Sequence, residues 1–307
     1  SRTSSTEANR GVCVMPPVCR RHLGALARAR VDAVGWVAWA RVHDEEGRVA
    51  TTDREKLKRF RKVVKSQREE LRLLRDFSRS PFDDIEVPER VLGVAESVRE
   101  HRLTYLGVPD LMLLAEMVVH ADRAGHEGLV IEAGTALGGS AITMAAAKAP
   151  EREMRVYDVF GMIPPPTEED GQDVHERYEV IRSGGSKGLG DETYYGYRDD
   201  LYGEVTESFR RYGLDPADNH VDLVRGLFED TIRIDGPVAF AHLDGDWYAS
   251  TMVCLERIAP HLVPGGRLVL DDYYHWSGCR TAVDEYFAGR PGYRVEHRAR
   301  VHVVRDA

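Results

Sequence analysis

"PVAFAHLDGDWYASTMVCLERIAPHLVPGGRLVLDD" (residues 237–272) decides the fold of this chain. An apolar run ends in acidic residues, a helix-like segment follows, and a second apolar run again ends in acidic residues. A strand, a helix and another strand in this order predict two neighbouring strands of a parallel sheet. Because like charges at close range repel and raise one another's pKa, we expect a cation or a retained proton among these acids.

The same alternation of strand-like and helix-like segments runs from about residue 90 to the end of the chain. Strands are predicted at 129–134, 153–160, 220–228, 237–244 and 266–272, and a closing hairpin at 292–307. This pattern predicts an α/β fold, with a parallel sheet and helices on both faces. Such sheets bind ligands at the carboxyl ends of their strands. The acids found at those ends are Glu132, Asp158, Asp244 and Asp271.

The residues before position 90 have a different pattern. A helical apolar period covers residues 52–77, and a proline-bearing segment marks a boundary near residues 80–90. The basic helix at 52–77 is either a solvated face or an arm that contacts a partner, and we expect a homo-oligomer. The predicted domains are an N-terminal helical extension (1–90, with 1–10 disordered) and an α/β domain (91–307).

The least regular stretch of the predicted α/β domain is residues 161–205, here called the insert. It is far longer than a usual connection between a strand and a helix. Long connections of this kind usually serve as lids or binding loops, so we expect the insert to be a lid or a binding segment.

The composition favours a soluble enzyme that acts on small molecules. The net charge of −9 argues against a nucleic-acid-binding protein, which needs a basic face. The sequence contains no run of about 18 apolar residues, so no membrane span is predicted. The four cysteines include no C-x-x-C pair, so neither a zinc site nor a disulfide framework is indicated, and we expect a cytoplasmic location.

A glycine-rich turn, "EAGTALGGSA" (132–141), lies between the first predicted strand and its helix. It matches neither the G-x-G-x-x-G pattern of dinucleotide-binding proteins nor the phosphate-binding P-loop. The negative charge of Glu132 disfavours a pyrophosphate and tolerates a cationic ligand. S-adenosylmethionine, with its sulfonium and amino group, is a ligand of this kind. Asp158 is placed to accept hydrogen bonds from ribose hydroxyls. The alternative interpretation is a glycine turn that only allows tight strand–helix packing.

Asp244, Asp271 and Asp272 follow two strands that would be neighbours in the sheet. Three converging carboxylates suit Mg²⁺ or a similar hard cation. Such a cation can bind a substrate hydroxyl and lower its pKa, and Asp246 can then accept the proton as general base. The alternative is that these acids only cap helices and turns.

Other polar and aromatic residues near these acids are weaker candidates. His242 lies inside an apolar run and fits a hydrogen-bonded core histidine, whereas His275 follows the acid pair and could reach a substrate. Five aromatic residues could stack on sugar or aryl rings, although core packing suits each of them. They are Tyr194, Tyr195, Tyr197, Trp247 and Trp276.

These stretches together resemble the macrocin O-methyltransferase family of class I, S-adenosylmethionine-dependent enzymes of antibiotic tailoring. The most specific part is "LDGDWYASTMVCLERIAPHLVPGGRLVLDDYYHWSGCRTAVDEYF" (243–287). "LTYLGVPDLMLLAEMV", "VIEAGTALGGSAITMA", "DVFGMIPPP" and "GLFEDTI" fit the same family in order. The resemblance covers about residues 100 to 290.

The resemblance implies a Rossmann-like class I methyltransferase fold, with a seven-stranded mixed sheet that has a terminal antiparallel strand. It also implies that Mg²⁺ is bound by Asp244, Asp271 and Asp272, with Asp246 as general base. We count Asp244 and His275 among the candidate catalytic residues. The implied cofactor-binding residues are Thr104, Tyr105, Glu132, Gly134, Thr135, Ser140, Asp158 and Asp244.

We therefore expect methyl transfer from S-adenosylmethionine to a sugar hydroxyl, on a glycosylated natural product or a nucleotide-linked sugar. A methyltransferase of phenols or catechols is a close alternative, because it can use a similar metal site. An NAD(P)-linked sugar oxidoreductase and a non-catalytic binding protein are alternatives of other classes. No nucleic-acid or membrane partner is expected.

Overall fold

The structure, a computed structural model, describes residues 80–82 and 85–307. The helix predicted at 52–77 and most of the predicted N-terminal extension lie outside the described residues. The homo-oligomer that was expected partly from that helix stays a prediction. No helix in the described part of the chain is long and apolar enough to span a membrane.

Eight α-helices and seven β-strands lie in the described residues. The helices are α1 (Glu89–Glu100), α2 (Val108–Arg123), α3 (Gly139–Ala147), α4 (Gln172–Arg182), α5 (Leu201–Arg211), α6 (Phe228–Thr231), α7 (Tyr248–Ile258) and α8 (Ser277–Phe287). The strands are β1 (Leu129–Ala133), β2 (Met154–Asp158), β3 (Val221–Arg225), β4 (Val238–Leu243), β5 (Leu262–Leu270), β6 (Tyr293–His297) and β7 (Val301–Arg305).

The strands form one mixed sheet in the order β3-β2-β1-β4-β5-β7-β6. Strands β1 to β5 pair in parallel, whereas β7 runs antiparallel to both β5 and β6. The predicted seven-stranded sheet with an antiparallel hairpin is therefore confirmed. The order of the strands reverses between β1 and β4, and the crevice at such a switch point is where open α/β sheets bind their ligands.

Helices cover both faces of this sheet. Val130 and Phe240 belong to the core cluster under helices α1, α2, α3 and α5, whereas their neighbours Ile131 and Ala241 belong to the cluster under α7 and α8. Every residue of β1 and β4 is buried. Central strands that are covered on both faces have this continuous apolar character, which is why they could be recognised in the sequence.

Several elements differ from their predicted limits, and the strands predicted at 153–160 and 220–228 are shorter, ending at Asp158 and Arg225. Strand β5 begins at Leu262 rather than at residue 266, because Leu262 pairs with Val238 before the register shifts. The insert is less irregular than expected, since it contains α4, a 3₁₀ turn at Tyr195–Tyr197 and the first turn of α5. Helix α4 buries only Val174 and Ile181, so its apolar stripe was too narrow to stand out.

Candidate active site

The acids predicted at the strand ends lie where the sequence placed them. Glu132 is the penultimate residue of β1 and Asp158 the last residue of β2, while Asp244 and Asp271 come directly after β4 and β5. Strands β2, β1, β4 and β5 are parallel and lie next to one another in this order. All four acids therefore meet at one edge of the sheet, around the switch point.

The glycine turn (132–141) brings β1 close to the loop after β4. Gly134 has φ of +90°, and a Cβ atom there would lie 1.9 Å from the backbone oxygen of Asp244. The backbone amide of Asp244 in turn donates to the oxygen of Ala133 at 2.8 Å. Only glycine satisfies both the left-handed backbone and this close approach.

Asp158 fixes the conformation of the glycine turn. Its carboxylate accepts backbone hydrogen bonds from Thr135 (2.8 Å), Ala136 (3.0 Å) and Phe160 (2.6 Å). Burial raises the pKa of Asp158 despite these bonds. The sequence suggested only a ribose contact for this acid, and its bonds to the turn are a second role that the sequence did not indicate.

The loop before α2 lies against the amino end of α3. The amide of Gly139 donates to the oxygen of Leu103 at 2.8 Å, which places Thr104 and Tyr105 beside the glycine turn. Thr104 is buried and its hydroxyl accepts from the amide of Leu106, whereas Tyr105 is 45% exposed. Thr135 and Ser140 are buried in the same region, and the hydroxyl of Thr135 has no hydrogen-bond partner.

Two adjoining cavities open at this edge of the sheet. The first, the glycine-turn cleft, has an empty volume of about 610 Å³. The second, the acidic cavity, has about 830 Å³. The cleft is lined by residues that include Gly134, Ala136, Asp158, Leu227 and Phe228. The cavity is lined by residues that include Thr104, Tyr105, Thr135, Ser140, Asp271 and Asp272. Asp244, Asp246 and Tyr195 line both of them.

Three carboxylates crowd together between the two cavities. Asp244, Asp246 and Asp272 each offer an oxygen, and these oxygens lie within 4.8 Å of one another. Burial, together with repulsion from neighbouring aspartates, raises the pKa of all three well above the usual range. An uncompensated cluster of hard oxygen donors fits a divalent cation such as Mg²⁺, because the cation would relieve the repulsion.

Asp271 differs from these three acids because it already has cationic partners. Arg300 Nε lies 2.6 Å from Asp271 Oδ1, and His242 Nε2 lies 3.6 Å from the same atom. Burial alone would raise the pKa of Asp271, but His242 and Arg300 outweigh it and hold the pKa below its ordinary value. All four aspartates line the acidic cavity, but Asp271 is not one of the three whose oxygens lie within 4.8 Å of one another, and it is paired with Arg300 and His242.

His242 connects two of the site acids from inside β4. Its Nδ1 lies 3.0 Å from Glu132 Oε1, and its Nε2 faces Asp271. Burial would lower the pKa of His242, but Asp271 and Glu132 raise it to about 9. His242 is fully buried, as expected for a core histidine, and it also ties the acid of β1 to the acid after β5.

Asp246 is held in a left-handed backbone conformation, with φ of +57°. Its side chain accepts a hydrogen bond from Trp276 Nε1 at 3.0 Å, and its amide donates to Asp272 Oδ2 at 3.2 Å. Aspartate tolerates this conformation better than most residues. These contacts aim the Asp246 carboxylate into the acidic cluster.

The remaining candidates fall into two groups. His275 is exposed, but one of its ring nitrogens lies within 4.8 Å of oxygens of Asp271 and Asp272. Tyr197 lines neither cavity, and its hydroxyl donates to the oxygen of Ile181. The other four aromatic candidates, Tyr194, Tyr195, Trp247 and Trp276, line the acidic cavity.

Sequence reasoning missed Arg300, which belongs to the turn between β6 and β7 and reaches Asp271 from there. It also missed Asp170 and Asp173 of the insert, which bond to the first residues of α7 and α8. None of these residues stands in a motif. Their partners lie far away along the chain, so no local signal could have identified them.

The sheet order, the glycine turn and the acids at the switch point together define a class I methyltransferase. The solved structure of the O-methyltransferase NovP has the same fold, with a TM-score of 0.59 and 24% identity, covering 71% of this chain and 98% of that one.

A sequence model of the macrocin-O-methyltransferase (TylF) family matches residues 49–291, and the chain belongs to this family. The match begins well before residue 100, where the recognisable motifs start. The chain is thus an O-methyltransferase that depends on S-adenosylmethionine, which removes the oxidoreductase and the non-catalytic binding protein from consideration.

Two O-methyltransferases of known substrate are similar to this chain in sequence. 8-Demethyl-8-(2,3-dimethoxy-alpha-L-rhamnosyl)-tetracenomycin-C 4'-O-methyltransferase of Streptomyces olivaceus is 34% identical over 195 residues, covering 62% of this chain and 69% of the relative. Mycinamicin III 3''-O-methyltransferase of Micromonospora griseorubida is 31% identical over 195 residues, covering 60% and 69%.

Proposed function

We propose that the chain methylates a sugar hydroxyl of a glycosylated natural product, with S-adenosylmethionine as donor and with help from Mg²⁺. The observation that carries this proposal is that Asp244, Asp246, Asp271 and Asp272 all line the acidic cavity, where it adjoins the glycine-turn cleft. A methyl donor in one cavity and an acceptor in the other would meet beside these acids. The relative named for a rhamnosyl-tetracenomycin substrate supports a sugar acceptor.

The glycine-turn cleft is the proposed cofactor site. Gly134 and Asp158 line this cleft, and Asp158 also holds the glycine turn in place. Leu227 and Phe228 provide an apolar wall for a nucleoside base. Glu132 lines neither cavity, since it is fully buried with Oε1 against His242 and Oε2 without a hydrogen-bond partner, so its contact with the cofactor stays a prediction from the sequence.

The acidic cavity is the proposed acceptor and metal site. Asp244, Asp271 and Asp272 would hold the ion, and a bound Mg²⁺ supplies a Lewis acid that lowers the pKa of an acceptor hydroxyl. Asp246 would take the proton from that hydroxyl, since burial and the charge of Asp272 raise its pKa and Trp276 fixes its orientation. Holding acceptor and donor in line would provide much of the rate acceleration.

The lining of the acidic cavity favours a glycoside over a nucleotide-linked sugar. Four aspartates line it, and Arg177 is the only basic side chain among the described residues that do so. This charge distribution disfavours a diphosphate. The walls formed by Tyr194, Tyr195 and Trp247 instead suit a sugar ring and an apolar aglycone. The same aromatic walls keep a phenol acceptor as the second candidate.

An acceptor panel tests the proposal directly. The purified chain would be incubated with S-adenosylmethionine and Mg²⁺ together with a rhamnosylated tetracenomycin-type glycoside, dTDP-L-rhamnose or catechol, and formation of S-adenosylhomocysteine would be followed. We expect turnover with the glycoside alone, loss of that turnover in EDTA, and recovery on adding Mg²⁺. Turnover with catechol alone, or an activity that EDTA leaves unchanged, would overturn the proposal.

A further inference from the structure

Helices α7 and α8 both begin in an unusual way. The residue at each N-cap position is a tryptophan, Trp247 for α7 and Trp276 for α8, and neither helix has a side-chain cap of its own. Tryptophan cannot accept the hydrogen bonds of the first helical amides, which serine, threonine, asparagine or aspartate usually do. These amides therefore need acceptors from elsewhere in the chain.

The insert supplies the acceptor for α7. Asp170 Oδ1 accepts from the amide of Tyr248 at 2.8 Å, and its Oδ2 accepts from the amide of Thr167 at 3.0 Å. The carboxylate is buried against α8, where a Cβ atom on Gly278 would lie 1.9 Å from Asp170 Oδ1. A glycine in the first turn of α8 thus makes the room that the cap of α7 requires.

The insert supplies the acceptor for α8 as well. Asp173 Oδ2 accepts from the amide of Ser277 at 3.0 Å, and Asp173 Oδ1 accepts from the Ser277 hydroxyl. Burial acts against its charge, but the bonds to Ser277 lower the pKa of Asp173. A third contact joins the same parts, since Trp247 Nε1 donates to the oxygen of Pro164 at 3.0 Å. The insert is thus tied to both helices.

These two helices directly follow the acidic loops of the site. Asp246 precedes Trp247, and Trp276 donates to Asp246 Oδ1, while the two indole rings meet edge to face with 5.6 Å between their centroids. Because the insert caps both helices, their N-cap positions are free for indoles that line the acidic cavity and orient Asp246. The capping contacts and the geometry of the site are therefore linked.

We infer that Asp170 and Asp173 are positioning residues for methyl transfer, an inference that rests on the function proposed above. They fasten the insert to the amino ends of α7 and α8 and act on the acidic cluster through Trp247 and Trp276. The favourable interaction of a carboxylate with a helix amino end strengthens both ties. The insert then completes the acceptor site as a fastened wall rather than as a loose lid.

The test compares Asp173→Ala and the double variant Asp170→Ala/Asp173→Ala with a matched control. Asp200→Ala removes the side-chain cap of α5, which bonds to the amide of Gly203 within its own helix. Limited trypsin digestion with mass spectrometry reports opening of the insert at its basic residues. Calorimetric titrations with Mg²⁺ and with S-adenosylhomocysteine report the two sites, and none of these measurements needs an acceptor. The basic residues of the insert are Arg177, Arg182, Lys187 and Arg198.

Loss of two helix caps should speed cleavage of the insert about 30-fold in the double variant. Mg²⁺ affinity should fall about ten-fold, as for the loss of other groups that orient metal ligands. S-adenosylhomocysteine affinity should fall less than Mg²⁺ affinity, because the insert contributes residues such as Ile163 and Pro164 to the glycine-turn cleft, whereas the glycine turn and Asp158 lie outside the insert. Asp173→Ala should show part of each effect, while Asp173→Asn, which keeps an acceptor oxygen, should recover most of the wild-type behaviour.

Several outcomes would overturn the inference. Wild-type cleavage of the insert in the double variant would show that the ties do not hold it. Faster cleavage with unchanged Mg²⁺ affinity would show that the insert is fastened but does not position the site. If Asp200→Ala changed insert cleavage and Mg²⁺ affinity as much as the double variant does, the loss of any helix cap would have the same result. If the acceptor panel fails while the cleavage and Mg²⁺ results hold, the proposed acceptor is wrong and the positioning role stands.

Discussion

Arg300 Nε lies 2.6 Å from Asp271 Oδ1, in an ion pair whose side chains are only 15% and 11% exposed. This pair keeps one member of a crowded acidic cluster charged, while its neighbours have raised pKa values. Arg300 comes from the hairpin at the far end of the chain, so the hairpin that closes the sheet also shapes the proposed metal site.

Replacing Arg300 with methionine should destabilise the protein by about 3 kcal/mol, because the buried Asp271 carboxylate loses its nearest cation and keeps only His242 at 3.6 Å. Arg182→Met is the matched control, since its pair with Glu179 is 61% exposed on both sides and should contribute little to stability. Urea unfolding monitored by circular dichroism measures both. Equal losses of stability in the two variants would contradict this account of the buried pair.

Asp271→Asn should lower turnover by at least about 100-fold, since a Lewis-acid metal contributes several kcal/mol to such reactions. The affinity for S-adenosylhomocysteine should stay nearly unchanged, because Asp271 does not line the glycine-turn cleft. Steady-state kinetics and calorimetry provide the two values, with the exposed Asp218→Asn as control. Wild-type rates in Asp271→Asn would remove this residue from the metal site.

Asp246→Asn should reduce kcat by about 10²- to 10⁴-fold, the range typical for loss of a general base. An asparagine oxygen can still accept the hydrogen bond from Trp276, so the fold and the KM for the acceptor should change little. Kinetics with a glycoside acceptor, together with a thermal melt, test this. A kcat within about three-fold of the wild type would show that another group accepts the proton.

Gly134→Ala should destabilise the protein by about 2 to 4 kcal/mol, because its Cβ would overlap the Asp244 backbone oxygen in addition to the strain of positive φ. Gly289 offers a matched control, with φ of +65° and no atom within 4 Å of an added Cβ. Gly289→Ala should cost only about 1 kcal/mol. Urea unfolding of both variants separates backbone strain from the close approach, and similar losses would argue against the close approach.

His302 predicts a loss of stability in mild acid. Burial and the neighbouring Arg267 lower the pKa of His302 to about 3, whereas an unfolded histidine has a pKa near 6.5. The unfolded chain therefore binds the extra proton first, and this contribution to stability, present above about pH 6.5, decreases as the pH falls toward 3. Between pH 7 and 5 the loss is about 2 kcal/mol.

Replacing this histidine isolates its contribution. In His302→Gln the unfolding free energy should fall less between pH 7 and 5 than in the wild type, by about the same 2 kcal/mol. Urea unfolding at both pH values makes the comparison, and each protein serves as its own reference at pH 7. Parallel pH profiles for the two proteins would show that His302 is not the group responsible.

The sheet and the acids at its edge could be predicted because both leave local patterns. A buried strand such as β4 is a continuous apolar run, and the acids directly follow it. The glycine turn could be recognised for the same reason, since Gly134 stands at the end of β1. Family resemblance added the roles of the acids, which the spacing alone left open.

Contacts between distant parts of the chain could not be predicted. Asp170 bonds to Tyr248 and Asp173 to Ser277, and neither aspartate has a neighbour that marks it as a helix cap. In the sequence nothing distinguishes Arg300 from the other arginines of the chain. Only the fold brings such residues to their partners, because each contact depends on how several elements pack together.

The most direct test of the central claim is to locate the transferred methyl group. The product of a rhamnosylated tetracenomycin-type glycoside, formed with ¹³C-methyl-labelled S-adenosylmethionine and Mg²⁺, would be analysed by carbon–proton correlation NMR. The account predicts a methyl ether on a sugar carbon, formed only while Mg²⁺ is present. A methyl group on a phenolic oxygen of the aglycone, or an equal yield in EDTA, would contradict it.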